Sequence, residues 1–221
     1  TLTALGSGVQ FASGGATHAF ASGAVLNGAF TQTTGNASFA NATLNGTYNL
    51  QGGSFALASG TTAVNGTFNY AGGALSGPGT LALSTGDVLN VTGVTKEISG
   101  ATLQNDGTVN LALNIGNNLQ LSNGGVLTNT GTINFNESTS IAPRSGFGPG
   151  TFNNVGGTLA VAAGKTGSVT VENANFSGNS TLDTTAAGSL LTLSPSVAAN
   201  YSGTLTALGS GVQFASGGAT H

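Results

Sequence analysis

The chain has 221 residues, of which only 4% are charged, against about 25% in an average globular protein. Its formal net charge is −3 and its three cations are Lys96, Arg144 and Lys165. Nucleic-acid binding and electrostatic attachment to a membrane each need several cations on one surface, so this composition excludes both.

The apolar residues make up 38% of the chain and lie in short patches, which is enough to form a core and excludes a disordered chain. No apolar run approaches the length of a membrane span, so none is predicted. The absence of cysteine excludes thiolate metal sites and is compatible with a place outside the cell. No signal peptide begins the chain, which indicates an internal segment of a longer protein.

The opening segment, residues 1–18, recurs without change as residues 204–221. An identity of this length does not arise by chance. It predicts a parent protein of tandem units, in which residues 1–203 form one unit and residues 204–221 begin the next copy in the same conformation. A duplication introduced in cloning is the alternative explanation.

Three related elements come next, each with an Asn-Gly pair between apolar residues. They read VLNGAF at 25–30, TLNGTY at 43–48 and AVNGTF at 63–68. Their spacing indicates a repeated structural unit of roughly 20 residues. Asn-Gly also favours tight hairpins, which leaves an antiparallel sandwich or barrel as the alternative fold.

From residue 79 onward the recurring element is Gly-Thr followed by alternating residues. It occurs as GTLAL at 79–83, GTVNL at 107–111, GTINF at 131–135, GTLAV at 157–161 and GTLTA at 203–207. The alternation is typical of strands with one buried face, and no window has helical periodicity. Hairpins need no such regular period, whereas a solenoid does. We therefore predict an all-β parallel solenoid over residues 1–221, with about ten coils of roughly 20 residues and essentially no α-helix.

Residues 137–150 interrupt this pattern and contain two of the four prolines, Pro143 and Pro149, together with Arg144. The interruption predicts a protruding loop.

Equivalent residues of successive coils would stack into ladders. Phe11, Phe30, Tyr48 and Phe68 have the spacing of an aromatic ladder, and Phe20 with Phe39 has that of a second. Glycine and asparagine are expected at the corners, where φ is often positive. Asparagine side chains are expected to bond to one another along the axis.

The segments LSGPGTLAL at 75–83 and FNNVGGTL at 152–159 resemble the filamentous-haemagglutinin-like and autotransporter-passenger β-helices of bacterial surface adhesins. The likeness extends over essentially the whole chain. It implies a right-handed, three-faced parallel β-helix, secretion across an outer membrane, and a role in adhesion or fibre formation.

Some parallel β-helices cleave polysaccharides with clustered carboxylates, often with calcium. The acidic residues here are Asp87, Glu97, Asp106, Glu137, Glu172 and Asp183. With a coil of the predicted length, Asp87 and Asp106 would face each other, with Lys96 and Glu97 on another side. Lys96 and Glu97 are more simply a surface ion pair at a turn, so we predict no enzyme activity and no catalytic residue.

No cofactor or metal site is predicted. His221 is the copy of His18, which leaves one surface histidine per unit, and no calcium-binding nonapeptide, P-loop, GxSxG or HExxH motif occurs. An ice-binding face would need Thr-x-Thr on a steady coil period. The examples at 1–3, 31–33 and 128–130 lack that period.

The prediction is thus a structural or adhesive repeat segment of a giant secreted or cell-surface fibrous protein. Its expected partners are identical units end to end, lateral copies of itself, and glycans or cell surfaces. The alternatives are an adhesin module that binds glycans or cells with its outer faces or its loop and, less favoured, an ice-binding solenoid or a polysaccharide-degrading β-helix.

Overall fold

Each strand pairs in parallel with the strand that occupies the same position one turn later. This rule holds from Leu2 to Phe214 in the computed structural model, which describes residues 1–215. Three strands complete a turn, and the backbone forms a parallel β-solenoid of about ten turns of about 22 residues, without helix. The predicted fold class is confirmed, while its right-handedness stays a prediction.

Among residues 1–215 there is accordingly no helical segment of the length and hydrophobicity that crossing a membrane requires.

The strands are short, except near the start of the chain, where β2, β3, β4 and β6 continue around a corner. In chain order they are β1 (Leu2–Thr3), β2 (Val9–Phe20), β3 (Val25–Ala40), β4 (Thr43–Leu50), β5 (Ser54–Ser59), β6 (Thr61–Tyr70), β7 (Ala74–Ser76), β8 (Thr80–Leu83), β9 (Val88–Gly93), β10 (Lys96–Ser99), β11 (Thr102–Asn105), β12 (Thr108–Leu113), β13 (Asn118–Ser122), β14 (Val126–Asn129), β15 (Thr132–Phe135), β16 (Thr139–Pro143), β17 (Thr151–Val155), β18 (Thr158–Val161), β19 (Thr166–Val169), β20 (Asn173–Ser177), β21 (Asn179–Thr184), β22 (Leu190–Leu193), β23 (Ala198–Tyr201), β24 (Thr204–Gly209) and β25 (Val212–Phe214).

These strands form three faces. The first face contains β1, β8, β11, β14, β17, β20 and β23 with the opening parts of β3, β4 and β6. The second contains β9, β12, β15, β18, β21 and β24 with the adjoining parts of β2, β3, β4 and β6. The third contains β5, β7, β10, β13, β16, β19, β22 and β25 with the ends of β2 and β3.

The core is a set of inward-pointing ladders along the axis. On the first face, Leu81, Leu103, Leu127 and Phe152 follow one another and are fully buried. Residues of the opposite parity point outward and are partly exposed, as the alternation predicted. Each buried side chain of this size stabilises the fold by about 1.5–3 kcal/mol.

Both predicted aromatic ladders are present. Phe30, Tyr48 and Phe68 are register partners, and the rings of Tyr48 and Phe68 stack at 5.3 Å. Phe20 stacks on Phe39 at 4.6 Å, and Phe55 extends that ladder at 4.3 Å. Phe11 stacks on the ring of Phe30 at 5.8 Å although its backbone pairs with Gln32.

Glycine, rather than asparagine, forms most corners. Gly28, Gly46 and Gly66 lie one above another between the first and second faces, all with positive φ. Asn41 and Asn123 are the non-glycine residues with positive φ in the described part of the chain. The prediction that asparagine shares the corners is therefore largely wrong, because most asparagines lie within strands.

Two further predictions need correction. Residues 139–143 of the predicted loop form strand β16, so its residues 137–138 and 144–150 lie outside the strands. Pro143 is tolerated at the end of β16 because it pairs with Leu121 on one side only. The second copy of the opening segment also occupies different faces from the first, and its residues 216–221, His221 included, lie outside the described residues.

Candidate functional site

Asp87, one half of the predicted carboxylate pair, is bonded to the backbone at the corner between the first and second faces. Its side chain is 9% exposed and accepts hydrogen bonds from the N–H of Gly66 at 2.7 Å and of Ser84 at 2.8 Å. It thus satisfies an N–H of the preceding coil and one of its own turn, which is a structural role.

Asp106 lies at the same corner one coil later, but its carboxylate is directed away from Asp87. It is exposed and accepts hydrogen bonds from Gln104 at 2.6 Å and from the hydroxyl of Thr130 on the following coil. Asp87 bonds to the preceding coil and Asp106 to the next. The predicted facing of the two carboxylates is therefore wrong.

Replacing Asp87 by alanine is expected to lower the free energy of unfolding by about 2 kcal/mol, because two partly buried hydrogen bonds from N–H groups to a charged acceptor are lost. Urea unfolding followed by circular dichroism measures this loss. Asp106→Ala is the matched control and is expected to cost less than about 1 kcal/mol, since water can solvate its partners. Equal losses from the two variants would contradict the structural role of Asp87.

Glu97 and Arg144 form an ion pair on the third face. The hydroxyl of Ser122 also donates to Glu97, and the Arg144 guanidinium lies 3.6 Å from the ring centre of Phe147. Burial alone would raise the pKa of Glu97, but the bonds from Arg144 and Ser122 and the charge of Arg144 outweigh it and hold that pKa below its usual value. These contacts fix the turn at 144–150 against the face.

Lys96 is not the surface partner of Glu97 that the sequence suggested. Strand alternation turns its side chain inward, where it is 2% exposed, while Glu97 points outward. The Lys96 ammonium donates to the carbonyl of Val94 at 2.8 Å and lies 5.9 Å from the ring centre of Tyr70. Burial lowers the pKa of Lys96, because an ammonium is poorly solvated inside the solenoid.

Replacing Lys96 by methionine is expected to stabilise the fold at neutral pH by about 1 kcal/mol, because a buried charge is exchanged for an apolar chain. The unfolded chain binds the Lys96 proton more tightly than the folded chain. The stability of the natural chain should therefore rise with pH between the lowered folded pKa and the ordinary value of 10.5.

Urea unfolding of both chains from pH 7 to pH 11 tests this expectation. The difference in stability between them should shrink across that window, while effects of tyrosine ionisation cancel in the comparison. A difference independent of pH would show that Lys96 keeps an ordinary pKa in the fold.

The other acidic residues are dispersed. Glu137 pairs with Lys165 at 2.6 Å, Glu172 accepts from the N–H of Gly150 at 3.0 Å, and Asp183 accepts from the N–H of Thr185 at 2.9 Å. Within residues 1–215 no three His, Cys, Asp or Glu side chains come close enough to hold a metal ion.

His18, predicted as a surface residue, points inward on the third face. It pairs with Ala37, is half-buried, and its ring lies 5.0 Å from that of Phe11. Its Nε2 atom is buried without a hydrogen-bond partner. The inward direction follows from the parity that His18 shares with Phe20 in β2.

The second face carries a regular outward array, here called the threonine–asparagine face. One column is continuous in register apart from Val88 and consists of Thr47, Thr67, Thr108, Thr132, Thr158 and Thr181. The other column consists of Asn49, Asn69, Asn90, Asn110 and Asn134, each amide donating to the one before it at 2.8–2.9 Å. The predicted axial asparagine bonding is confirmed here.

Shorter asparagine ladders occur elsewhere. Asn27, Asn45 and Asn65 bond at 2.7 and 2.8 Å on the first face, and so do Asn153, Asn175 and Asn200, at 2.8 Å. A third ladder is internal and was not foreseen. Asn105, Asn129 and Asn154 are fully buried and bond at 2.6 Å.

Two shallow depressions of mixed character lie on the outer surface of the described residues. One is lined by polar residues of the first coils, among them Gln10, Thr31 and Gln51, and another lies beside Ile115 and Glu137. Neither has an aromatic lining of the kind that sugar-binding grooves use. The threonine–asparagine face is therefore the most regular candidate surface in the described part of the chain.

Comparison with protein-family models, with curated protein sequences and with solved structures gave no match for this chain.

Proposed function

We propose that this chain is a structural repeat segment of a fibrous protein, serving as a stalk, filament or matrix element. The single observation that supports this proposal most is the unbroken parallel pairing on all three faces from the first coil to the last. A fold that buries its side chains in axial ladders and adds coils at its ends is suited to length rather than to enclosing a substrate.

Tension along such a rod is shared by the three faces, because the main-chain hydrogen bonds run parallel to the axis. Stacked rings and asparagine amides add side-chain bonds in the same direction. The near absence of charge avoids repulsion between equal residues on successive coils, which lie only about 4.8 Å apart. These features together favour a stiff element that resists proteolysis.

The proposal includes a place outside the cell, by secretion or at the cell surface. The absence of cysteine and the resemblance to adhesin β-helices support it. It also includes the absence of enzymatic activity. Incubation with acidic polysaccharides, with and without calcium, tests that part, and release of shortened products would contradict it.

Electron microscopy and fibre diffraction of the protein that contains this segment test the main proposal. Thin filaments with a reflection at about 4.8 Å along the filament axis are expected. Compact particles without axial order would contradict a fibrous role.

A second candidate function is a binding module that engages glycans or cell surfaces. The threonine–asparagine face favours it, since hydroxyl and amide groups recur there every coil, with columns about 6.7 Å apart and coils about 4.8 Å apart. In each bonded asparagine one amide N–H remains for a partner.

Retention on cellulose and chitin tests this second candidate. A variant with Thr108→Ala and Asn110→Ala should lose retention, whereas Ser76→Ala on the third face should keep it. A freezing assay on the same variants detects ice binding, which would replace glycans as the ligand. Equal retention of all variants would contradict a role for this face.

A further inference from the structure

The two identical copies of the opening segment occupy different faces of the solenoid. In the first copy, Leu2 pairs on the first face and Val9 on the second. In the second copy, the equivalent Leu205 pairs on the second face and Val212 on the third. The same residues point inward in both places, but the second copy has advanced by one face.

The distance between equivalent positions can be counted on the second face. Nine successive pairings lead from Val9 to Ala207. Val212, the copy of Val9, lies one face further on. The unit formed by residues 1–203 therefore spans nine turns and one third of another, or about 45 Å along the axis at the ordinary strand spacing.

Hydrogen bonds and a ring contact hold the second copy in its position on the second and third faces. Leu191 donates its N–H to Gly211 at 2.7 Å, and Gly211 donates to the hydroxyl of Thr184 at 3.1 Å. The ring of Phe214 meets that of Tyr201 at 5.7 Å, which continues the row formed by Phe152 and Phe176.

Neither position leaves room for a Cβ at this glycine. A Cβ on Gly8 would lie 2.7 Å from the carbonyl oxygen of Ala29, and one on its copy Gly211 would lie 2.1 Å from that of Ser189. A close backbone contact therefore requires glycine at this point of the sequence on either face.

We infer that strands β21 and β22 form the docking surface for the first coil of the following unit, and that each unit is rotated by one face relative to the one before it. The partner is a second copy of this chain's own unit, joined end to end. The inference rests on the proposed tandem fibre and specifies its geometry.

The consequence is a rod on which every surface feature recurs on three sides in turn. The threonine–asparagine face of one unit continues as a different face of the next. The turn at 144–150, which carries Arg144 against Phe147, points in three directions over three units. Such a rod can contact lateral neighbours or ligands on all sides.

Engineered cysteine pairs test the junction in the complete chain, which has no cysteine of its own. Thr192 pairs with Gln213 in the rotated arrangement. Without rotation, Val212 would stack on Leu182 as Val9 does on Phe30, and Gln213 would then lie beside Asp183. Adjacent strands place Cα atoms within the range that a disulfide spans.

The pair Thr192→Cys with Gln213→Cys is expected to form a disulfide at least about tenfold faster than the pair Asp183→Cys with Gln213→Cys, because only the former is held in contact. Asn49→Cys with Asn69→Cys, register partners on adjacent coils of the second face, is the positive control. Preferential linking of 183 to 213 would overturn the rotation. Failure of both pairs while the control forms would overturn the docking itself.

These outcomes are separable from the fate of the fibre proposal. Linking of 192 to 213 in a protein that forms no filaments would leave the junction geometry intact and reject the fibre. Filaments together with linking of 183 to 213 would keep the fibre and reject the rotation.

Discussion

Replacing Gly66 by alanine is expected to lower the free energy of unfolding by about 3–4 kcal/mol. Gly66 has a φ of +139°, and an added Cβ would lie 2.3 Å from the carbonyl oxygen of Gly46 on the preceding coil. That oxygen belongs to the backbone and cannot move without parting two coils. The substitution therefore combines backbone strain with the loss of close stacking at the corner.

Gly116→Ala is the matched control. Gly116 also has a positive φ, of +82°, but nothing lies within 4 Å of an added Cβ. It should cost about 1 kcal/mol through backbone strain alone. Urea unfolding gives both values, and hydrogen exchange should locate the Gly66→Ala defect in the coils on either side of the corner. A cost for Gly66→Ala no greater than that of the control would show that coil stacking does not require glycine.

The alternation of apolar and polar residues, together with the period of roughly 20 residues, was sufficient to predict the solenoid and the ladders of its early coils. From Asn27 to Asn65 the two turns are 18 and 20 residues long, so Phe30, Tyr48 and Phe68 recur at nearly constant spacing. Later turns lengthen, to 24 residues between Asn105 and Asn129 and 25 between Asn129 and Asn154. The added residues lie in the corners, so the strand pairing within each face is unchanged. A prediction based on a fixed period therefore does not find the later ladders.

The predictions for individual side chains were wrong where they relied on the polarity of the residue instead of its position in the strand. Lys96 and His18 were assigned to the surface because they are polar, although strand parity places them inside with Ile98 and Phe20. Parity was the more reliable signal, since the solenoid holds every second residue inward whatever its chemistry. The prediction that Asp87 and Asp106 face each other relied on their positions on neighbouring coils. Their backbones are close along the axis, but hydrogen bonds direct the two carboxylates away from each other.

The threonine–asparagine face has a signal in the sequence, which is a recurring triplet of residues. The triplets Thr47 to Asn49, Thr67 to Asn69, Thr108 to Asn110 and Thr132 to Asn134 each place two polar residues around an apolar one. The sequence cannot state that these triplets share one face, because the lengths of the intervening corners vary. The pairing of the strands supplies that information.

Replacing Asn129 by leucine is expected to lower the free energy of unfolding by about 3 kcal/mol. Asn129 is the middle of the buried ladder, accepting from Asn105 and donating to Asn154 at 2.6 Å each. Leucine would leave the Asn154 oxygen without its donor and the Asn105 amide with only the carbonyl of Thr132, at 3.1 Å. Unsatisfied polar groups inside the solenoid cannot be rescued by water.

The cost of Asn129→Leu has two possible explanations. Either the substitution leaves its partners unpaired, or the buried ladder as a whole stabilises the fold relative to an apolar core. If the cost of Asn129→Leu arises from side-chain partners left without a hydrogen bond, replacing Asn105, Asn129 and Asn154 together by leucine should recover most of the loss, because no side-chain amide of the ladder then remains unpaired. Asn110→Leu on the outer face has the same axial bonds, at 2.9 Å, and should cost less than about 1 kcal/mol, since its partners are partly exposed to water. Urea unfolding of the three variants decides the matter. A triple variant that is weaker than Asn129→Leu would mean that the internal amides hold the coils in register, and that the solenoid depends on its buried asparagines as it does on its leucines.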